Sequence, residues 1–244
     1  MFSAIFHTII YQPLFNILIL LYNLVPGHDF GVAIVLITVL IRLILWPMSN
    51  KSIRAQKSMQ SLQPKINALR TQYKDDKQKL AQATMELYKQ EKINPFASCL
   101  PLLIQLPILI GFYWVLRAGL NSQNFEILYP FVHNPGTIKT IAWGFLELSK
   151  ANIILAVLAG AAQFWQTNML PMQPPAVKCD GSKDEGITAM MNKQMMYMMP
   201  IMTVFIGATI PAGLTLYWLV TTLLTVLQQI IVFKKQNDSA IITN

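Results

Sequence analysis

The run FGVAIVLITVLIRLILWPM, Phe30 to Met48, is almost wholly apolar and carries one charge, Arg42. A helix of about 20 apolar residues spans a hydrocarbon core. Four more runs of this kind follow, roughly Pro95–Leu116, Ala151–Met172, Met190–Ile210 and Gly213–Phe233. They constrain the fold more than any other feature, because in hydrocarbon each segment must satisfy its own backbone polar groups and so must be helical. Composition agrees: 12% of the 244 residues are charged and 54% are hydrophobic, whereas a water-soluble domain carries about 25% charged residues. The reading is an all-α polytopic membrane protein with five transmembrane helices.

Breakers separate the runs, as they should: Pro26-Gly27, the prolines from Pro171 to Pro175, and Pro211-Ala212-Gly213. The last link is so short that the helices on either side must form an antiparallel hairpin. The expected order is an N-terminal segment (1–29), then spans at 30–48, 95–116, 151–172, 190–210 and 213–233. Between them lie a basic hairpin (49–94) and loops (117–150 and 173–189), with a short tail (234–244) at the end. Ten of the 19 basic residues lie between Asn50 and Asn94. Basic loops mark the cytoplasmic side, so this segment and the tail are expected inside and the N-terminus outside. That asymmetry accounts for most of the +8 net charge, and no nucleic-acid-binding motif accompanies it.

Two non-spanning segments carry structure of their own. In the first, PLFNILILLYNLV could cross the membrane, but Gln12, Asn16 and Asn23 share a helical face, which favours an amphipathic helix lying at the outer surface. In the second, Met59, Leu62, Ile66, Leu69 and Tyr73 recur at three- and four-residue steps, the seam of a packed helix. Leu80, Thr84, Leu87 and Glu91 line a second helix, Asp76 is a plausible N-cap, and Pro64 should divide or kink the first. The segment therefore reads as a basic helical hairpin.

Catalytic chemistry is not apparent. None of the five runs contains Asp or Glu, and His7, His28 and His133 are widely separated near the outer side. No metal-ligand spacing, nucleophile elbow or phosphate loop occurs, so no metal or cofactor is expected. Cys99 and Cys179 fall in an apolar segment and a predicted cytoplasmic loop, which does not favour a disulfide. The chain has no Lys or Arg before Arg42, unlike the basic start of a signal peptide.

Arg42 is thus a charge in hydrocarbon without an acidic partner in any span, at a cost of at least ~2.5 kcal/mol on insertion scales. It could snorkel, since Pro47 lies only ~8 Å further along the helix at 1.5 Å per residue. The alternative is a hydrated cavity. Polar stripes on several helices suit that better: Thr38, Arg42 and Ser49; Ser98 and Gln105; Asn152, Gln163 and Gln166; Thr215, Trp218, Thr222, Thr225 and Gln229. Any single stripe would be explained by helix–helix hydrogen bonding. MMNKQMMYMMPIM, Met190 to Met202, holds seven of the 13 methionines, a side chain suited either to packing or to surfaces that accept varied apolar partners.

The residues resemble the YidC/Oxa/Alb family of membrane protein insertases, in its compact bacterial form. The similarity runs from YQPLF (Tyr11–Phe15) through LIRLILWP, LQPKINALR, DDKQKLAQATMELYKQEKINP, CLPLLIQLPI and MMPIMTVF to IPAGLTLYWLVTTLLTVLQQ. The resemblance implies five helices around a hydrophilic groove closed on the outer side, with Arg42 as the groove arginine. It implies Gln163 or Gln166 as the groove glutamine and Trp218, beside Tyr217, as the aromatic. Thr38, Gln105 and Thr222 complete the expected groove. Substrate helices would slide along the second and fourth spans at Leu106, Met195, Met199 and Met202. The hairpin, through Lys57, Lys65, Arg70, Lys77 and Lys79, would recruit substrates. Implied partners are nascent integral membrane proteins and the lipid bilayer, with the Sec translocon, the signal recognition particle receptor and the translating ribosome as further candidates. The tail KKQNDSAIITN lacks a long basic extension, which argues against stable ribosome binding through it. The implied location is the bacterial inner membrane.

Two rival functions fit the polar stripes alone. A solute or ion channel would conduct in a planar bilayer, and an assembly scaffold would bind partners without inserting them.

Overall fold

The computed structural model describes residues 6–74, 76–94, 100–120, 125–169 and 197–242. A π-helical turn, His7–Tyr11, leads into α1 (Gln12–Leu24). Then come α2 (Phe30–Ser61), α3 (Gln63–Gln72), α4 (Lys77–Gln90) and α5 (Leu100–Leu120). A loop bearing two short strands, β1 (Ile141–Ala142) and β2 (Leu146–Glu147), separates α5 from α6 (Ile153–Met169). The chain ends with α7 (Tyr197–Gly207) and α8 (Ala212–Ile242). The protein is mostly helical, and two described helices are long and apolar enough to cross a bilayer, α2 and the Ala212–Lys234 part of α8.

Local chemistry explains several boundaries. The Asp29 carboxylate accepts from the Val32 amide at 3.1 Å, satisfying one of the orphan donors at the start of α2. Asp76 does the same for the Lys79 amide at 3.0 Å at the start of α4, as the sequence predicts. Pro64 sits in the first turn of α3, after a break at Leu62, where its missing N–H removes no helical bond. Pro47 behaves differently: α2 runs through it without a break as far as Ser61. On either side of Pro47, the Gln228 amide of α8 donates to the Trp46 carbonyl at 3.2 Å and to Asn50 Oδ1 at 2.7 Å. These bonds pin the turn in which an interior proline has removed one helical bond.

α8 packs most extensively against α6 and α2. It lies parallel to α2, as shown by the ordered contacts Arg42 to Thr221, Trp46 to Gln228 and Lys57 to Phe233. Both helices begin at the end that carries the 125–152 loop, called here the loop end. The first amides of α8 are satisfied there, Ala212 by the Lys150 carbonyl at 2.8 Å and Gly213 by the Leu148 carbonyl at 3.0 Å. α7 turns back into α8 through residues 208–211, and the Thr215 hydroxyl closes the link on the Gly207 carbonyl. α6 and α7 meet through small residues: a Cβ on Gly160 would lie 3.1 Å from the Pro200 carbonyl oxygen and would clash with Val204.

The apolar core also sits at the loop end. Phe15, Leu18 and Ile19 of α1 pack with Phe30, Ile34 and Ile37 of α2, Phe112 and Leu116 of α5, and Leu148 of the loop. The polar face of α1 holds a loop, with Asn16 buried against it and Gln12 and Asn23 half-buried. Asn16 donates to the Ile127 carbonyl at 3.2 Å and accepts from the Tyr129 amide at 2.6 Å, and Asn23 donates to the His133 carbonyl at 2.7 Å. The stripe is the seat of the 125–133 loop. Further from the loop end, Leu43 and Ile44 of α2, Trp165 of α6 and Ile201 of α7 stand exposed.

Candidate functional site

The contiguous apolar cluster at the loop end reaches Ile37 on α2 and Tyr217 on α8. Arg42 is one helical turn beyond Thr38, and there the contact between α2 and α8 becomes polar. Thr38 is fully buried and its hydroxyl bonds back to the Ile34 carbonyl at 2.6 Å, a local bond that satisfies it without a partner helix. Arg42 instead reaches across. Its Nη2 donates to the Thr221 carbonyl at 2.9 Å and to the Thr225 hydroxyl. The Thr225 hydroxyl in turn donates to that same Thr221 carbonyl at 2.7 Å, leaving an oxygen lone pair for the guanidinium.

Depth follows from helix rise. Arg42 lies about 18 Å along α2 from Phe30, while Thr221 and Thr225 lie about 14 and 20 Å along α8 from Ala212, at 1.5 Å per residue. The guanidinium is therefore held sideways against α8, near the level of its own backbone. No carboxylate pairs with it among the described residues, and its Nε is buried without a hydrogen-bond partner there. Gln229 Oε1 on α8 is likewise buried and unbonded among the described residues.

A second polar contact lies beside the first. Gln105 of α5 donates to the Tyr217 hydroxyl at 2.7 Å, and the Tyr217 ring stacks on Phe112 with centroids 4.2 Å apart. Thr222 is buried and bonds back to the Trp218 carbonyl at 2.9 Å, while Trp218 itself is half-buried. The structure thus brings Arg42 onto α8 and ties α8 to α5 through Gln105 and Tyr217. It does not bring in α6 by hydrogen bonds: Gln163 and Gln166 are half-buried, and among the described residues neither side chain bonds to Arg42 or Tyr217.

The remaining expected residues divide. Leu106, Met199 and Met202 are exposed, at 47%, 43% and 48%, and Met195 lies outside the described residues. In the basic hairpin, Ile66 and Leu62 are buried where α3 begins, and Lys65 of α3 pairs with Glu91 just past α4. Lys79 pairs with Asp76 at 3.1 Å. The Asp76 carboxyl is held below the usual carboxylate range, mainly by the backbone N–H and the ammonium of Lys79. Lys57 is used internally, donating to the Phe233 carbonyl at 3.3 Å and lying 5.3 Å from that ring's centroid. Arg70 is in the last turn of α3 and Lys77 opens α4.

Sequence reasoning missed Thr221 as a partner of Arg42. The signal was available: Thr221, Thr225 and Gln228 fall at i, i+4 and i+7 on one face, one position off the stripe counted from Trp218 and Thr222.

Comparison with known proteins extends over the same elements. Residues 20–239 match the family model described as 60Kd inner membrane protein. A membrane protein insertase YidC from Fusobacterium nucleatum is 36% identical over 228 residues, covering 93% of this chain and 98% of that one. A protein of the same name from Tolumonas auensis is 36% identical over 224 residues, 92% of this chain but 36% of its own length. One from Francisella tularensis subsp. novicida is 38% identical over 204 residues, 84% of this chain and 32% of its own. The chain therefore spans about a third of the length of the latter two and nearly all of the first. It belongs to the 60Kd inner membrane protein family, the YidC/Oxa group whose motifs its sequence resembles.

Proposed function

We propose that the protein inserts α-helical membrane proteins into the bilayer, with Arg42 as the receiving charge. The single observation that carries this reading is the state of Arg42 in an acid-free bundle. Its guanidinium is held by a carbonyl and a hydroxyl, keeps an unbonded N–H, and has no carboxylate against it among the described residues. A fixed, partly satisfied cation at that depth attracts an acidic segment of another protein. The insertase name of relatives that cover most of this chain supports the same conclusion.

In this reading five helices (α2, α5, α6, α7 and α8) cross the inner membrane, with the loop end outside and the basic hairpin in the cytoplasm. The apolar core at the loop end closes the outer side. The polar contacts of Arg42, Gln105, Tyr217, Thr221 and Thr225 line a groove that opens below it, and Thr38, Gln163, Gln166, Trp218 and Thr222 border that groove. A substrate tail enters from the cytoplasm and meets Arg42. Its apolar helix leaves along Leu106, Met199 and Met202, whose exposure supports a surface shared with lipid. The hydrophobic effect drives release, so no bound nucleotide is required. The hairpin's basic residues, Arg70, Lys77 and Lys79 among them, serve recruitment, where Sec translocon or targeting components would dock.

Reconstitution tests the reading. Purified protein in liposomes should convert a single-span substrate with an acidic tail from protease-sensitive to protected at its translocated end. Empty liposomes should not. Equal protection in both, or ion conductance in a planar bilayer without protection, would overturn it.

A further inference from the structure

The 140–149 hairpin explains none of the proposed insertion chemistry, yet it is an unusual object. Ile141, Trp143 and Phe145 leave it exposed, Phe145 at 81%, while the alternate Ala142, Leu146 and Leu148 point into the core. The Trp143 and Phe145 rings lie 6.4 Å apart. Trp143 adopts φ +51°, a region that bulky residues rarely enter. The strained turn is held from outside itself, because its amide donates to Asp29 Oδ2 at 2.6 Å. Gly31 allows this approach: a Cβ there would lie 2.5 Å from that of Ala142 and 3.4 Å from the Trp143 ring. Such a conformation persists only where the surroundings over-determine it.

The position of the turn is fixed as firmly as its shape. One arm abuts the first turn of α2 through Asp29 and Gly31. The other supplies the Leu148 and Lys150 carbonyls to the first amides of α8. The hairpin therefore sits level with the starts of the two helices that are long enough to span. Exposed Lys139 and Lys150 flank it, and Lys139 is tied to the Gly27 carbonyl at 3.3 Å. An open depression of about 620 Å³ beneath it is walled by His28, Asp29, Lys139 and Thr140.

We propose that the Ile141–Phe145 turn is a lipid anchor, seated at the boundary between headgroups and acyl chains of the outer leaflet. Phospholipid is the occupant because aromatic rings favour that level, and lysines beside them place ammonium groups among phosphates. The anchor goes beyond the insertase reading but rests on its topology, in which α2 and α8 cross the membrane. It sets the depth of α2, and through α2 the depth of Arg42.

The test uses nitroxide labels on single cysteines in a chain with Cys99 and Cys179 replaced by Ser. Labels at Phe145→Cys, at Ile141→Cys and, as control, at the exposed Leu40→Cys are compared in phosphatidylcholine–phosphatidylglycerol vesicles. Accessibility to oxygen and to a water-soluble nickel chelate gives depth. The expected result is Phe145 and Ile141 labels about 5–10 Å inside the headgroup boundary, with the Leu40 label deeper. A lipid-buried Leu40 label with nickel-accessible hairpin labels would overturn the anchor and leave the topology standing. Nickel access at all three would overturn the topology and the anchor with it. Hairpin labels closed to both reagents, or spin–spin broadened, mark a protein partner or a second copy as the occupant and also overturn it.

Discussion

Replacing Arg42 is the sharpest test of the proposed chemistry, because geometry sets a magnitude. The attraction between its guanidinium and a passing carboxylate about 6 Å away is about 2.8 kcal/mol at an effective dielectric of 20, and about 0.7 kcal/mol in bulk water. These correspond to roughly 100-fold and roughly 3-fold in rate or occupancy. Arg42 lies nearer the first limit, since its Nε is dry and its Nη2 is bound to protein dipoles. Arg42→Gln keeps amide donors for Thr221 and Thr225 and deletes the charge, so insertion of an acidic-tailed substrate should fall about 10- to 100-fold. Arg42→Glu should fall further, because attraction becomes repulsion. Arg42→Lys should retain part of the rate, a point charge being enough for attraction though not for the lateral bonds. The assay is protease protection in proteoliposomes, run beside an otherwise identical substrate with a neutral tail, which should change by less than about 3-fold. A folded Arg42→Glu protein that inserts the acidic substrate at the unmodified rate would refute the electrostatic role, whatever its effect on neutral substrates.

Other consequences can be measured directly. Gly160→Leu should break the α6–α7 contact, where even a Cβ has no room; a loss of about 1–3 kcal/mol is expected for an overpacked site, read as a lower midpoint of thermal unfolding in detergent. Asp29→Ala removes both the α2 cap and the acceptor for Trp143. Hydrogen exchange at the Val32 and Trp143 amides should accelerate, by about 5-fold or more for a cap worth about 1 kcal/mol, whereas Asn should retain most of the cap. Asp76 gives a pH dependence. Its folded pKa is depressed by Lys79, so its contribution is fully present above the ordinary carboxylate value near 3.9. That contribution is lost as pH falls through the depressed folded value. Protection of the Lys79 amide should therefore hold from neutral pH to about 4 and fade below it, and Asp76→Asn should remove that acid-side change.

Short-range chemistry was legible in the sequence. Asp76 caps within three residues, Pro64 breaks the helix it was expected to divide, and Pro211 marks the α7–α8 link. What was not legible is where polar side chains find backbone partners far along the chain. Asn16 and Asn23 look like a wetted face, because the carbonyls of Ile127 and His133 that occupy it carry no signature in residue type. The same is true of the Thr221 carbonyl that receives Arg42. Pro47 misleads in the opposite sense. Its local rule is to break a helix, yet α2 continues with bonds from Gln228 next to it. The polar stripe on α6 makes no hydrogen bond to Arg42 among the described residues, and α6 meets α7 through Ala156 and Gly160, packed against Gly207 and Val204.

The neutral partners of Arg42 bear on how an insertase could release what it attracts. Had an aspartate stood opposite, a substrate carboxylate would have to break a buried ion pair, and stripping a buried charge of its partner costs about 3–5 kcal/mol. A carbonyl and a hydroxyl satisfy the guanidinium without cancelling its charge. Exchanging one of them for a carboxylate trades a neutral acceptor for a charged one, a net gain on the order of 1–3 kcal/mol, bounded below by the difference between such bonds and above by the direct attraction. That is enough to bias the entry of an acidic tail and too little to hold it against the partitioning of a spanning helix, at ~0.8 kcal/mol per buried methylene. Thr225→Asp is the decisive variant. With the charge of Arg42 cancelled from within, capture of acidic tails should fall as it does in Arg42→Gln, although the arginine is still present and its contact with α8 is retained. Wild-type insertion by the Thr225→Asp protein would mean that charge at this depth is not what substrates read.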